Sequence, residues 1–422
     1  MIKPETSVAV QPAGVLGSLY LRQLPSTGKL RALIFTTLFP NSVQPLNGSF
    51  VLERMRHLLP AVNMTVVAPV PYFPRINLNQ QWFNFATTPH SERFADFEVD
   101  HPRYIVFPKV GMTTHGFSMF AGSLLGVWRR LRATNYDLID AHYVYPDGLA
   151  AVLLGAVLKK PVVVSARGSD INVFPQYKLI RPLVEFVLRR ADAVIAVSQS
   201  LKDAMVDLGC PEKKITVVRN GVDSLKFRPQ SRLQAREKLC LPIDRPIVLS
   251  VGRLSKNKGF QILIDAIARL RHKHPDVLLV IIGNGSNRSR LEAQVRQFRL
   301  QENVRFAGTC AHEQLSEWYS AADLFCLASA CEGCPNVVLE ALACGCPVIA
   351  TGAGGTGEVL TSASFGTIVE RTPEAFESAL EEGMRREWDH RAIAAHGRSH
   401  SWEKAASSLL DVYSQVVALR KS

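Results

Sequence analysis

The chain has 422 residues, 47% hydrophobic and 20% charged, and its lysines and arginines exceed its aspartates and glutamates by 49 − 37 = 12. This length predicts two domains, each with a core of its own, and the positive balance favours anionic partners. The longest apolar runs, 117–128 and 149–158, fall short of the roughly 20 residues that cross a bilayer, and the basic segments lack the aromatic interleaving or reading motif of a nucleic-acid binder.

In chain order, residues 1–27 have no sustained apolar core behind a basic start and are interrupted by Pro, Ser and Gly, which predicts a mobile tail, not a secretory signal. A cytosolic location is expected. From 28 to 224, short runs rich in β-branched residues alternate with helix-length amphipathic segments, the pattern of a parallel sheet covered on both faces. Strands are predicted over 32–36, 64–67, 138–141, 162–166, 193–197 and 215–218. Between them, the segment 101–135 carries Arg103, Lys109, Arg129, Arg130 and Arg132 with no acidic residue, and 117–131 reads as an amphipathic helix. This suits peripheral contact with an anionic membrane surface at the inner face, or with a lipid-diphosphate acceptor. An ordinary domain helix with solvated arginines fits the same pattern equally.

After the connecting region 223–245, with Pro229 and Pro242 inside it, the alternation restarts. The second domain, 225–390, has predicted strands over 247–251, 277–282, 304–307, 324–327 and 348–350. The final residues, 391–422, are read as helices packing between the domains, the last one amphipathic through Ala405, Leu409, Val412, Val416 and Leu419. Two doubly wound domains facing each other would place the carboxyl ends of both sheets across one cleft. All eight cysteines lie from Cys210 onward, mostly in or beside apolar patterns, as reduced thiols do. Cys331 and Cys334 form a Cys-x2-Cys pair near Cys344 and Cys346, but a helix between the pairs would hold them roughly 12 to 15 Å apart at about 1.5 Å per residue. No metal site is expected.

Two segments carry chemistry. The run Cys331-Glu332-Gly333-Cys334-Pro335-Asn336 precedes a helix that Pro335-Asn336 opens and Gly345 closes. Glu332 is thereby expected in a loop above a strand's carboxyl end, with Glu340 one turn after Asn336 on the helix. A sugar nucleotide suits this pattern, because a helix start receives phosphate and carboxylates accept hydrogen bonds from sugar hydroxyls. Earlier, Arg253 and Lys258 bracket the turn after strand 247–251, five residues apart, and can converge on one diphosphate while Gly252 and Gly259 let the backbone approach. Taken alone, each segment also reads as surface charge flanking a turn or on a helix face.

Arg253 with Lys258, followed by Glu332-x7-Glu340, resembles the retaining glycosyltransferases of family four, which have the α/β GT-B fold and use nucleotide-sugar donors. The resemblance extends from about Arg31 to Tyr413, with further matching pieces at 45–50, 140–148 and 219–223. It implies that Arg253 and Lys258 bind the donor diphosphate, Glu332 the transferred sugar and Glu340 the ribose hydroxyls. Gly333, Cys334, Pro335 and Asn336 would supply backbone contacts, Gly48 would lie close to phosphates or acceptor, and Thr356 would line the same pocket. Where the family usually has a histidine before Gly-x-Asp, this chain has Arg167, followed by Gly168 and Asp170. Arg167 is expected to face a donor or acceptor phosphate or to pair with Asp170. No cofactor is implied, since the donor is a substrate; the acceptor would be a polysaccharide or a lipid-linked glycan. Transfer would keep the anomeric configuration, by front-face attack with the diphosphate accepting the acceptor's proton.

Three other readings share parts of this pattern. A hydride-transferring dinucleotide enzyme would use Gly283-Asn284-Gly285, but Arg288 occupies the position of the fingerprint's third glycine. A non-catalytic nucleotide-sugar binding subunit would need the same four charged residues, and a GT-B epimerase or hydrolase would consume the donor without an acceptor. A metal-dependent transferase would need an Asp-x-Asp motif, which the chain lacks.

Overall fold

The computed structural model describes residues 29–73, 80–106 and 111–421. Its strands, in chain order, are β1 (Leu30–Phe35), β2 (Val62–Val67), β3 (Val70–Pro71), β4 (Ser91–Phe94), β5 (Phe97–Asp100), β6 (Arg103–Tyr104), β7 (Leu138–His142), β8 (Val162–Ser165), β9 (Ala193–Ala196) and β10 (Ile215–Val217). After the connecting region come β11 (Ile247–Val251), β12 (Leu278–Ile282), β13 (Val304–Gly308), β14 (Leu324–Leu327), β15 (Val348–Thr351) and β16 (Gly366–Val369). The first sheet has the order β10-β9-β8-β7-β1-β2-β5-β4, and the short pair β3-β6 stands apart. The described residues form two compact units, one of those up to Val164 with those from Leu410 onward, the other Ser165–Leu409.

Every predicted strand is present. The hairpin β4-β5 was not predicted, since Glu92, Arg93, Asp96, Glu98 and Asp100 leave 91–100 without an apolar run. It pairs antiparallel at the sheet edge, where charge is tolerated. The edge strand β16, short and begun by Gly366, was missed likewise. The expected tail 1–27 and Lys109 lie outside the described residues.

In the first unit, the predicted amphipathic helix runs over His115–Ala133 and buries Gly116, Met119, Ser123 and Val127, a stripe at helical spacing. Two arginines expected for anionic contact are engaged otherwise. Arg130 bonds Asp100 through Nε at 2.7 Å and Nη2 at 2.9 Å, and Arg103 donates to the carbonyls of Phe85 and Thr88. Arg129 and Arg132 stay exposed. On the C-terminal helix Trp402–Lys421, the buried Tyr413 hydroxyl donates at 2.5 Å to Asp140 Oδ2, which also lies 3.0 Å from His142 Nε2. No helix among the described residues is long and apolar enough to cross a membrane.

The second unit holds the six-stranded sheet β13-β12-β11-β14-β15-β16, whose pairs are all parallel. Its strands read as continuous apolar runs because both faces are covered. Ile247, Leu249 and Val251 of β11, with Leu278, Val280 and Ile282 of β12, enter one core. Their alternate neighbours Val248, Leu279 and Ile281 enter the other. The order reverses direction between β11 and β14, and at such a switch point the loops leaving adjacent strands diverge and open a crevice.

Candidate active site

Because the second sheet is parallel, the turns after β11, β12, β13, β14 and β15 all leave from its carboxyl edge. The turn after β11 carries Arg253, passes through a short 3-10 segment, Lys256–Lys258, and enters the helix Phe260–Leu270. The loop after β14 carries Glu332 to Pro335 and enters the helix Asn336–Ala343. These two turns flank the switch point and are tied together, the Ala330 N–H donating to the Asn257 carbonyl at 2.8 Å. Within them the Lys258 ammonium meets Glu332 Oε1 at 2.5 Å. Arg253, in the same turn as Lys258, is exposed. The helix that bears Glu340 ends as predicted at Gly345, where the Gly345 N–H bonds the Leu342 carbonyl at 2.8 Å and the Cys346 N–H bonds that of Ala341 at 2.9 Å.

Glu340 stands apart from Glu332 chemically. It is 6% exposed, the Tyr319 hydroxyl donates to its Oε2 at 2.9 Å, and His312 Nε2 lies 2.8 Å from its Oε1. Burial, with the Glu340 charge beside it, pushes the Tyr319 phenol well above its ordinary value and raises the Cys310 and Cys344 thiols. Neither His312 nor Tyr319 was singled out from the sequence.

A second set of contacts surrounds Gly333. A Cβ there would meet the Arg167 carbonyl oxygen at 2.1 Å, so only glycine permits this approach. The Gly355 N–H donates to the Gly333 carbonyl at 3.0 Å, which brings the turn after β15 to the same place. Asp170, fully buried, accepts the backbone N–H groups of Arg167 at 3.0 Å and Gly168 at 2.8 Å. Arg167 Nη1 is 3.5 Å from Asn220 Oδ1, and Asn220 Nδ2 donates to Asn336 Oδ1 at 2.8 Å. Thr356 is fully buried, its hydroxyl on the Ala353 carbonyl at 2.7 Å. Cys334 is half-buried against the core and Pro335 is buried, its carbonyl accepting the Val338 N–H at 3.0 Å. Gly48 belongs to the first unit, where it precedes the helix Ser49–Arg56 at φ 68°; a Cβ there would strike the Leu38 carbonyl at 2.1 Å, so local packing alone requires glycine.

A first sheet with an antiparallel edge strand and a wholly parallel second one, with loop cations and carboxylates at the switch point of the second, define a glycosyltransferase of the GT-B fold. Solved structures share that fold. The sucrose-phosphate synthase of Thermosynechococcus elongatus superposes with a TM-score of 0.75 at 21% identity, over 93% of this chain and all of that one. HepE of Anabaena, solved in complex with UDP, superposes at 0.69 and 18% identity, over 92% and 100%. The family model of glycosyl transferases group 1 matches residues 231–400, and that of glycosyltransferase family 4 matches 82–224. The D-inositol 3-phosphate glycosyltransferase of Xylanimonas cellulosilytica is 32% identical over 68% of this chain and 73% of its own. A Bacillus subtilis protein named as a teichuronic acid biosynthesis glycosyltransferase, TuaC, is 27% identical over 83% and 88%. The chain belongs to glycosyltransferase family four.

Proposed function

We propose that the chain moves a sugar from a nucleotide-sugar donor to a polysaccharide or lipid-linked glycan, with retention of anomeric configuration and without a metal ion. The observation that carries this reading is the Lys258–Glu332 pair at 2.5 Å, built from the two turns that flank the switch point, the first of which also carries the exposed Arg253. Arg253 and Lys258 take the donor diphosphate and stabilise the charge that grows on it as it leaves. Glu332 accepts hydroxyls of the transferred sugar, Gly333 to Asn336 offer backbone contacts, and Glu340 accepts the ribose hydroxyls. Arg167 faces phosphate or acceptor, with the buried Asp170 and Thr356 holding the loops around it. That HepE was solved with UDP-glucose, and that TuaC is named for a polysaccharide, both favour the reading.

In the proposed reaction the acceptor hydroxyl attacks on the face from which the diphosphate departs. The anomeric carbon–oxygen bond breaks with its electron pair left on the diphosphate, the new glycosidic bond forms, and the acceptor's proton passes to the departing diphosphate. Neither glutamate is assigned as a nucleophile. The enzyme acts on the cytosolic side, with peripheral contact at the inner membrane face. Exposed Phe117, Leu125 and Trp128 on one helix support that contact, together with exposed Arg129 and with Arg132, whose guanidinium lies 3.9 Å from the Trp128 ring centroid.

The test is a thermal-shift and turnover screen against UDP-, GDP- and ADP-sugars with EDTA present, scoring free nucleotide with and without a lipid-linked acceptor pool. Release that requires acceptor and survives EDTA is expected. Release without acceptor would mean an epimerase or hydrolase, and stabilisation without release under every acceptor would mean a binding subunit.

A further inference from the structure

In the proposed function Glu340 takes the ribose hydroxyls, and the roles of its two neighbours, His312 and Tyr319, rest on that assignment. A buried carboxylate with a free choice of rotamer would be a poor reader of two adjacent hydroxyls, yet this one is held from both sides. Tyr319, fully buried on the helix Leu315–Ala321, donates to Oε2, and His312, in the short turn His312–Gln314, contacts Oε1. A carboxylate only accepts, so Nε2 of His312 carries the proton in this contact. The two donors are themselves fixed. Phe227 packs edge-on against both rings, with centroids 5.1 Å from His312 and 6.1 Å from Tyr319, and Phe325 packs on Tyr319 at 5.5 Å.

We infer that His312 and Tyr319 are positioning residues that turn the Glu340 carboxylate to read a vicinal diol. An ionised carboxylate has about four lone-pair sites, two per oxygen. With one donor seated on each oxygen, one acceptor site per oxygen remains, which matches the 2′- and 3′-hydroxyls of a ribose. Tyr319 is wholly covered, while the His312 side chain is 26% exposed. The site thereby distinguishes ribonucleotides from their deoxy counterparts.

The test uses the full chain and measures the affinities of UDP, GDP and ADP, each against its 2′-deoxy and 3′-deoxy analogue; the tightest nucleotide is carried forward. The wild type should prefer the ribonucleotide by roughly tenfold or more, the size expected of a hydrogen bond to a charged group. His312→Ala and Tyr319→Phe should lose most of that preference by weakening the ribonucleotide alone, and His312→Gln, which keeps an N–H donor, should recover part of it. In turnover the donor KM should rise while kcat stays nearly unchanged. A purely structural pair would lower the melting temperature and leave the affinity ratio untouched, which would overturn the inference. Should Tyr319→Phe fail to fold, the His312 variants, altered at the rim, decide alone. A wild type that binds diphosphate and transfers sugar without preferring ribose would refute the role of Glu340 and leave that of Arg253, Lys258 and Glu332 standing. Absence of binding by any nucleotide would remove the donor reading and this inference together.

Discussion

Replacing Gly333 by alanine puts a methyl group where a neighbouring peptide already sits. An ideal Cβ lies 2.1 Å from the Arg167 carbonyl oxygen, 2.9 Å from its carbon and 3.1 Å from Val197 Cγ2. Since Cβ contacts below 3.0 Å are essentially never adopted, something must move by about 0.9 Å, the difference between that limit and 2.1 Å. The Arg167 peptide is poorly placed to yield, because its N–H and that of Gly168 are both held by the buried Asp170 carboxylate. The displacement therefore passes to the loop that bears Glu332. A shift of about 1 Å at a positioned group costs on the order of a hundredfold in rate. Gly333→Ala should accordingly lower kcat/KM by about a hundredfold, with nucleotide affinity at Arg253 falling less, and overpacking should destabilise the fold by about 1–3 kcal/mol. Initial rates of acceptor-dependent nucleotide release, with a thermal melt of the same variant, measure both. A kcat/KM within about threefold of wild type, or roughly 0.7 kcal/mol of barrier, would show that the loop absorbs the methyl group without moving Glu332 and would refute the reasoning.

Glu332→Gln keeps the shape of the side chain and removes its charge, so transfer should fall more than nucleotide binding. Arg253→Ala should damage both, weakening nucleotide affinity by about 10- to 150-fold if one charge-assisted contact of roughly 1.5–3 kcal/mol is lost; near-normal turnover by both variants would end the assignment. Tyr413→Phe removes a donor from the fully buried Asp140, and thermal or urea unfolding should show a loss of about 1–3 kcal/mol. An unchanged melt would mean that His142, 3.0 Å away, satisfies the carboxylate unaided. His400 is held down at about 4 against an ordinary 6.5, by burial first and then by His396, Arg219 and Lys404. Between these values the unfolded chain binds a proton that the folded one does not, so stability is complete above pH 6.5 and declines as the pH falls toward 4. His400→Gln should flatten that window in melts taken across it, and an unaltered pH slope would assign the acid sensitivity to other groups.

How far each element is legible in the sequence depends on where its stabilising partners lie. Strands buried on both faces, such as 247–251 and 278–282, are continuous apolar runs and need no partner to be recognised. The charged hairpin 91–100 is stabilised by its place at a sheet edge, which a window of ten residues does not contain. The Lys258–Glu332 pair is expected from the sequence as two donor-binding charges, and the order β11-β14 makes them neighbours across 74 residues of sequence. For Arg167 the sequence offers Asp170 as a partner. Asp170 receives backbone N–H groups of the Arg167–Gly168 turn, a local arrangement typical of aspartate, and the guanidinium reaches Asn220, which no short window of sequence contains. His312 and Tyr319 stay hidden because their meaning depends on Glu340, a partner on a different helix.

The two glutamates share one motif and end with different partners, and the contrast assigns them different work. Glu332 leaves the strand in a loop and is paired with a cation whose side chain is 29% exposed. The Glu332 side chain is itself only 12% exposed, so an arriving diphosphate that takes Lys258 over leaves a carboxylate that the sugar's hydroxyls must satisfy in the lysine's place. Glu340 sits inside a helix, 6% exposed, held by a tyrosine and a histidine donor. Breaking those contacts would strand a buried charge, so Glu340 cannot move to meet a ligand and must be met where it stands. In the proposed reading, the fixed carboxylate sets the register of the nucleotide, and the adaptable one responds at the reacting sugar. Lys258→Met, which removes a diphosphate contact and leaves Glu332 without its cation, should therefore weaken nucleotide affinity measured in the absence of the sugar, as Arg253→Ala does, and lower kcat as well.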